Sequence, residues 1–227
     1  MRYSKIKEGR FIDRPNRFIA NIEIEGETRV CHVKNTGRCR ELLVPGVTVF
    51  VEEAANPHRK TKYDLVAVYK GETLFNIDSQ APNKVFGEWL EESGYFENIT
   101  YIKPECFFGQ SRFDFYFEYE GKKAFAEVKG VTLEKDGVFM FPDAPTERGV
   151  KHLEELCLAV DEGYDAYAVF ILQARGAEYF TPNAETHLQF AQTLKKASER
   201  GVKILCLDCN VEPCFLGING FVPFVVE

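Results

Sequence analysis

The chain has 227 residues, of which 45% are apolar and 28% charged, and its net charge is −7. That length allows one large domain or two modest ones, and the composition is that of an ordinary soluble globular protein. No apolar run is long enough to span a membrane, and no apolar stretch near the start predicts a signal peptide. We therefore expect a cytoplasmic protein with no membrane partner.

The charge is distributed unevenly along the chain. Residues 1–70 carry 14 Lys and Arg against 9 Asp and Glu, a net of +5, whereas residues 71–227 carry 14 against 26, a net of −12. A basic part suits a phosphate backbone, and an acidic part is compatible with a metal site. The asymmetry predicts two parts with different partners or different chemistry.

Residues 1–78 form the first part, in which apolar and polar side chains alternate over short runs separated by turn residues. Gly26 predicts a hairpin between the second and third runs. The segment "RCRELL" (38–43) predicts a short helix that ends before Val44-Pro45-Gly46. Five or so strands with one helix between the third and fourth are the order of an OB-type barrel, and an SH3-like barrel is the nearest alternative.

Residues 79–227 form the second part. A helix with apolar positions 85, 86, 89 and 90 is predicted to begin at an Asn83 cap and to end at Gly94. Strands follow near 112–118, 123–129 and 138–141, then a helix over 146–162, capped by Asp143 or Thr146. The apolar run "DAYAVFILQ" predicts a strand buried on both faces. A helix over 184–200 and the strand "VKILCLD" complete an α-β-β-β-α-β-α-β order.

The predicted hairpin "RFDFYFEYEGKKAFAEVKG" (112–130) carries three charged groups that could meet. By alternation, Asp114 lies on one face of the first strand and the aromatic side chains at 113, 115, 117 and 119 lie on the other. A loop at residues 121–122 places Asp114 opposite Lys129, and a loop at 120–121 places it opposite Glu127. Either even-length loop keeps the three groups on one face, whereas a one-residue slip separates them.

Two carboxylates at that range repel each other unless a cation compensates, and Mg²⁺ prefers such oxygen ligands. A neighbouring lysine can hold a water or stabilise charge on a phosphate. The group therefore suits metal-dependent phosphodiester hydrolysis, while a cross-strand ion pair between Asp114 and Lys129 is the alternative without chemistry. The order of elements around it resembles the PD-(D/E)xK nuclease core, although Phe113 stands where that motif has proline.

The segments "HVKNTGRCRELLVPG", "SRFDF", "EVKGVTL" and "FPDAPTERGVKHLEEL" resemble the sugar fermentation stimulation protein A family, and the similarity covers essentially the whole chain. The resemblance implies DNA binding and a link to the regulation of sugar metabolism. It also implies an α/β fold class in two domains: an OB-like β-barrel over residues 1–78, then a PD-(D/E)xK (restriction-endonuclease-like) mixed-sheet domain over residues 79–227.

By the same resemblance, Asp114, Glu127 and Lys129 match the catalytic triad of such nucleases. We predict that Mg²⁺ or Mn²⁺ is held by the two carboxylates and the Val128 carbonyl. Glu88 of the first helix is a candidate for a further carboxylate, in a family position where two adjacent glutamates are expected and this chain has Gly87-Glu88.

Two sets of cations are candidates for DNA binding. Arg148, Lys151 and His152 share one helix face, where they either contact phosphate or form a solvated face paired with nearby glutamates. The barrel contributes Arg10, Arg14, Arg17, Lys34, Arg38 and Arg40. The alternative for Arg38 and Arg40 is a set of bonds across the domain interface, and Phe11 and Phe18 are either stacking platforms or core.

The sequence thus predicts a DNA-binding protein with a Mg²⁺-dependent nuclease-like site. One alternative is a non-catalytic DNA-binding regulator of sugar-metabolism genes whose nuclease site is vestigial. Another is an enzyme or binder that uses the acidic part for a small molecule. The sequence is compatible with single- or double-stranded DNA as partner, and with a monomer or a dimer.

Overall fold

The computed structural model describes residues 1–35, 37–56 and 58–226. Within them, the first six strands form one sheet: β1 (Ile6–Asn16), β2 (Ile19–Ile24), β3 (Glu27–Val33), β4 (Thr48–Glu53), β5 (Tyr63–Lys70) and β6 (Thr73–Asn76). Their order is β3-β2-β1-β4-β5-β6, and β3 also pairs with β5 in parallel. That extra pairing closes β1 to β5 into the OB-type barrel that the sequence predicts.

Two local predictions in the barrel had different outcomes. The hairpin at Gly26 is confirmed: Ile24 pairs with Glu27, and Glu25 and Gly26 both have positive φ, as a tight two-residue turn requires. The helix over residues 38–43 was wrong, because the segment forms only hydrogen-bonded turns. Cys39 has a φ of 45°, and this left-handed conformation interrupts a right-handed helix at its start.

The rest of the described chain is an α/β domain around a mixed six-stranded sheet of order β15-β14-β12-β9-β8-β7. The pairs β9–β12 and β12–β14 are parallel and the other pairs antiparallel. The elements are α1 (Ala81–Glu92), β7 (Ile99–Phe108), β8 (Ser111–Tyr119), β9 (Lys122–Val131), β10 (Leu133–Lys135), β11 (Val138–Phe141), α2 (Glu147–Asp161), β12 (Asp165–Leu172), β13 (Tyr179–Pro182), α3 (Leu188–Glu199), β14 (Lys203–Glu212) and β15 (Phe215–Phe221).

The helices cover both faces of this sheet. α1 packs on one face, α2 and α3 pack on the other, and β10, β11 and β13 form a small separate sheet. Thr146 caps α2, since its hydroxyl accepts a hydrogen bond from the Gly149 N–H at 3.1 Å. The buried strand predicted from "DAYAVFILQ" (165–173) is confirmed as β12, which is buried along nearly its whole length.

The barrel and the α/β domain share a packed interface. The rings of Phe75 on β6 and Phe139 on β11 stack at 5.9 Å between centroids. Beside them, Gln173 donates from its side chain to the Asn76 side chain at 2.8 Å, and the Asn76 backbone N–H donates to the Gln173 carbonyl at 2.8 Å. Both polar side chains are buried and paired, so the interface holds the barrel next to the carboxyl end of β12.

In the part of the chain that the structure describes, no helix is both long and apolar enough to cross a membrane.

Candidate active site

The β8–β9 hairpin has the second of the two even registers considered above. Tyr119 pairs with Lys122 across a two-residue loop, Glu120-Gly121, in which φ is 47° and 73°. Regular pairing continues to Phe115 and Ala126 and ends there. The next residues along the two strands are Asp114 and Glu127, which therefore stand opposite each other where the strands separate.

Where the strands separate, the Asp114 carboxylate accepts a backbone hydrogen bond that a strand carbonyl would otherwise accept. One oxygen of its carboxylate, Oδ2, accepts a hydrogen bond from the Val128 N–H at 2.8 Å. The other, Oδ1, accepts one from the Asn83 side chain of α1 at 2.7 Å. Because the N–H and C=O of one strand residue point to the same side, the Val128 carbonyl also faces the Asp114 side of β9.

The aromatic side chains of β8 change faces at Asp114, which corrects the prediction that they all share one face. Phe115 packs against Phe86 of α1, with ring centroids 5.4 Å apart, and Phe117 and Tyr119 belong to the same core cluster. Phe113 instead lies in the core on the α2 side, 5.5 Å from the Phe125 ring and 6.2 Å from the His152 ring. The prediction that all four aromatic side chains share one face was therefore wrong for Phe113.

Glu127 is the most enclosed of the three predicted triad residues, with only 5% of its surface exposed. Its Oε1 accepts hydrogen bonds from Lys129 and from Nδ1 of His152. Its Oε2 is also buried, and it has no hydrogen-bond partner within the described residues. An oxygen in that state is costly unless a cation or a donor reaches it.

His152 connects Glu127 to Arg148 on the same turn of α2. Nε of Arg148 donates to Nε2 of His152 at 3.3 Å, so the ring hydrogen sits on Nδ1 and is donated to Glu127. His152 is 4% exposed and both of its nitrogens are engaged. The predicted phosphate contact of His152 stays a prediction, but this geometry gives its ring the task of orienting Glu127. Lys151, half exposed, lies 3.7 Å from Glu155 in the same helix.

The two carboxylates have opposite pKa shifts. Burial, and next the charge of Glu127, raise the pKa of Asp114, and the Val128 N–H offsets part of that rise. Burial by itself would raise the pKa of Glu127, but the His152 hydrogen bond and the Lys129 charge lower it. Glu127 is therefore held ionised, while Asp114 feels its negative charge and would gain from a nearby cation.

The first helix brings an amide to the site. Asn83 was predicted as the cap of α1, and this was wrong: the helix follows Gln80, with Pro82 among its first positions, and Asn83 lies within the first turn. Glu88 accepts a hydrogen bond from the Met1 ammonium group at 2.6 Å. Within the described residues, no hydrogen bond or ion pair joins Glu88 to the hairpin carboxylates, and no group of three or more His, Cys, Asp or Glu is arranged to hold a metal.

Four of the predicted barrel cations line one surface groove of about 300 Å³, which we call the arginine groove. Its charged residues are Arg14, Arg17, Arg38 and Arg40. Arg14 also supports the groove wall, since its guanidinium donates to the carbonyls of Asn35 at 2.6 Å and Gly37 at 2.8 Å.

Two other barrel cations lie in polar pairs. Lys34 is mostly buried, 2.9 Å from Asp78 and 3.8 Å from Asp64. Arg10 donates to the Thr48 hydroxyl at 2.5 Å. The alternative of bonds across the interface holds for the backbone of Arg38, whose N–H donates to Asp143 at 3.2 Å.

Two family models match this chain. The "SfsA N-terminal OB domain" matches residues 12–77, and the "Sugar fermentation stimulation protein RE domain" matches residues 80–214. A sugar fermentation stimulation protein homolog of Desulfitobacterium hafniense (strain DSM 10664 / DCB-2) is 60% identical over 222 residues, which cover 98% of this chain and 97% of the relative. The chain belongs to the sugar fermentation stimulation protein family.

Further members of the family agree over the full length. A homolog of Clostridium beijerinckii is 53% identical over 226 residues and covers 100% of both chains. The structure of Pyrococcus furiosus SfsA in complex with Ca²⁺ matches with a TM-score of 0.90 at 28% identity, over 100% of this chain and 98% of that one.

In this member of the sugar fermentation stimulation protein family, Asn83 and the orienting role of His152 are the site features that sequence reasoning missed. A signal for Asn83 was present, because it lies three and seven residues before Phe86 and Leu90, on the helix face that is buried. A polar side chain in that apolar stripe indicates a partner in the interior.

Proposed function

We propose that this protein binds DNA and hydrolyses phosphodiester bonds with Mg²⁺ or Mn²⁺ at a PD-(D/E)xK-type site. The observation that carries the proposal is the buried Oε2 of Glu127, which has no hydrogen-bond partner within the described residues. Asp114 stands opposite Glu127, and Lys129 contacts its other oxygen. A cation at Oε2 would remove the cost of a buried, unpaired carboxylate oxygen.

The residues fit a divalent cation that prefers oxygen ligands. Glu127 Oε2, a free lone pair on Asp114 and the Val128 carbonyl would hold it, and water would complete the shell. When bound, Mg²⁺ or Mn²⁺ supplies Lewis acidity to the phosphate and acidifies water. The complex of Pyrococcus furiosus SfsA with Ca²⁺ supports this, since Ca²⁺ is also a divalent cation that takes oxygen ligands.

The protein's own groups would divide the remaining work. His152 and Lys129 fix one oxygen of Glu127, so that Oε2 keeps one direction. Asn83 and the Val128 N–H do the same for Asp114. The Lys129 ammonium, which is partly exposed, can turn to a phosphate oxygen and stabilise the charge that develops on it.

DNA binding is supported by the barrel. Residues 1–70 carry a net charge of +5, and the arginine groove presents Arg17, Arg38 and Arg40 on a wall that Arg14 supports. Guanidinium groups bind phosphate through paired hydrogen bonds, and neutralising phosphates releases counterions from DNA. The acidic α/β domain would then hold the metal while the barrel binds the strand.

A second candidate is a non-catalytic DNA-binding regulator. The observation that favours it is that α1 brings the Asn83 amide, and no carboxylate, to Asp114. A site with two carboxylates holds a divalent ion less tightly than one with three, which would suit a binding protein without turnover.

The test is incubation of labelled single- and double-stranded DNA with Mg²⁺ or Mn²⁺. We expect metal-dependent cleavage by the wild type and its loss in Lys129→Ala, whereas Lys123→Ala, an exposed lysine near the start of the same strand, should cleave normally. Cleavage that survives Lys129→Ala would contradict the proposed site. Salt-dependent DNA binding without cleavage would favour the regulator.

A further inference from the structure

The arginine groove continues into a cleft between the barrel and the α/β domain, which we call the interdomain cleft. Gly37 lines both. The lining of the interdomain cleft includes Gly130, the residue that follows Lys129. The interdomain cleft thus leads from the arginine groove toward the candidate active site.

The interdomain cleft is narrow. Its volume is about 170 Å³, room for one base-sized group and far too little for a duplex. The wall at Gly130 is closely packed, since a Cβ there would lie 2.6 Å from Oε1 of Gln173 and 2.7 Å from Cγ of Pro82. Its polar lining includes Ser79 and Thr132, whose hydroxyl groups can hydrogen-bond the edge of an unpaired base.

An exposed aromatic ring lies at the other end of the path. Phe18 is 45% exposed, whereas Phe11, the other aromatic residue beside the barrel arginines, is 3% exposed and belongs to the core. The Arg17 guanidinium lies over the Phe18 ring, 4.7 Å from its centroid, and Arg17 itself lines the arginine groove. An aromatic platform beside a cationic groove is the arrangement that stacks the bases of single strands.

We propose that the DNA taken by this protein is single-stranded, with a base stacked at Phe18, phosphates in the arginine groove, and the strand threaded through the interdomain cleft toward Lys129. The inference rests on the proposed function, which it deepens by naming the substrate class. Duplex DNA hides its bases from such a platform and does not fit the cleft.

The experiment is fluorescence anisotropy with a labelled oligo-dT strand and with a labelled hairpin duplex of similar length. The wild type should bind the single strand at least about ten-fold more tightly than the duplex. Phe18→Ala should weaken single-strand binding by about five-fold or more and leave duplex binding within about two-fold. The matched control is Phe107→Ala, because Phe107 is 72% exposed on the outer strand β7 and should leave both affinities unchanged.

Two results would overturn the inference alone, and a third would remove the proposed function with it. Duplex binding as tight as single-strand binding would contradict it while leaving DNA binding intact. Equal effects of Phe18→Ala and Phe107→Ala on the single strand would contradict the assigned platform. Binding of neither probe would instead remove the proposed function together with the inference. Both variants change exposed side chains, so both should fold.

Discussion

His152→Ala should damage both the stability of the protein and its metal affinity. The imidazole donates to a buried, ionised carboxylate and packs on the Phe113 ring. A hydrogen bond to a charged group contributes about 1.5–3 kcal/mol, and the cavity left by the ring adds to that loss. We therefore expect the free energy of unfolding to fall by about 3 kcal/mol or more. Since Glu127 would lose one of the two donors that orient it, Mn²⁺ affinity should fall about 10–100-fold.

The matched variant is His152→Asn. The side-chain nitrogen of Asn occupies nearly the place of Nδ1, so it can still donate to Glu127, while the Arg148 contact is lost. Mn²⁺ affinity should stay within about three-fold of wild type, although stability drops. Urea unfolding measures the stability of each variant, and calorimetric titration measures its Mn²⁺ affinity. Wild-type Mn²⁺ affinity in His152→Ala, or an equal loss in both variants, would refute the orienting role.

Three further outcomes are expected. Burial alone would raise the pKa of Asp64, but Arg59 hydrogen bonds lower it below the ordinary range. Asp64→Asn should therefore lower the free energy of unfolding in urea by about 2–3 kcal/mol at pH 7. This difference from wild type should vanish as the pH falls below about 4 and through the lowered pKa. Asn83→Asp should lower the Tm without metal, because it places a second negative charge beside Asp114. The same variant should show a larger Mn²⁺-induced rise in Tm than wild type. Arg40→Gln should weaken DNA binding at every sequence and reduce the salt slope by about one, as anisotropy over a salt series will show. A stability difference that does not change with pH would contradict the Asp64 prediction. A smaller Mn²⁺-induced rise in Tm would contradict the Asn83 prediction, and an unchanged salt slope would contradict the Arg40 prediction.

The barrel and the central strands could be predicted from sequence because their side chains are buried on known faces. β12 is apolar along its length, and β9 and β14 have similar buried stretches. β7 was missed because it is an edge strand that exposes most of its side chains and includes Pro104, which an edge tolerates. β15 was missed because two glycines interrupt its pattern.

The site was predictable in composition and only partly in geometry. Even hairpin parity correctly placed Asp114 opposite or diagonal to Glu127, and the loop at Glu120-Gly121 chose between the two registers. Alternation along the strands does not predict that the Asp114 side chain accepts a hydrogen bond from the Val128 N–H. At that bond the regular ladder ends, and Phe113 lies on the other face. Nor does alternation reveal the contact from His152, which depends on how α2 packs on the sheet.

The central claim is that the hairpin carboxylates hold a divalent cation. Calorimetric titration of Mn²⁺ into the wild type, an Asp114→Ala/Glu127→Ala double variant and Glu88→Ala tests it directly. We expect binding by the wild type and by Glu88→Ala, whose carboxylate pairs with Met1, and no binding by the double variant. Equal Mn²⁺ affinity in the wild type and the double variant would contradict the account.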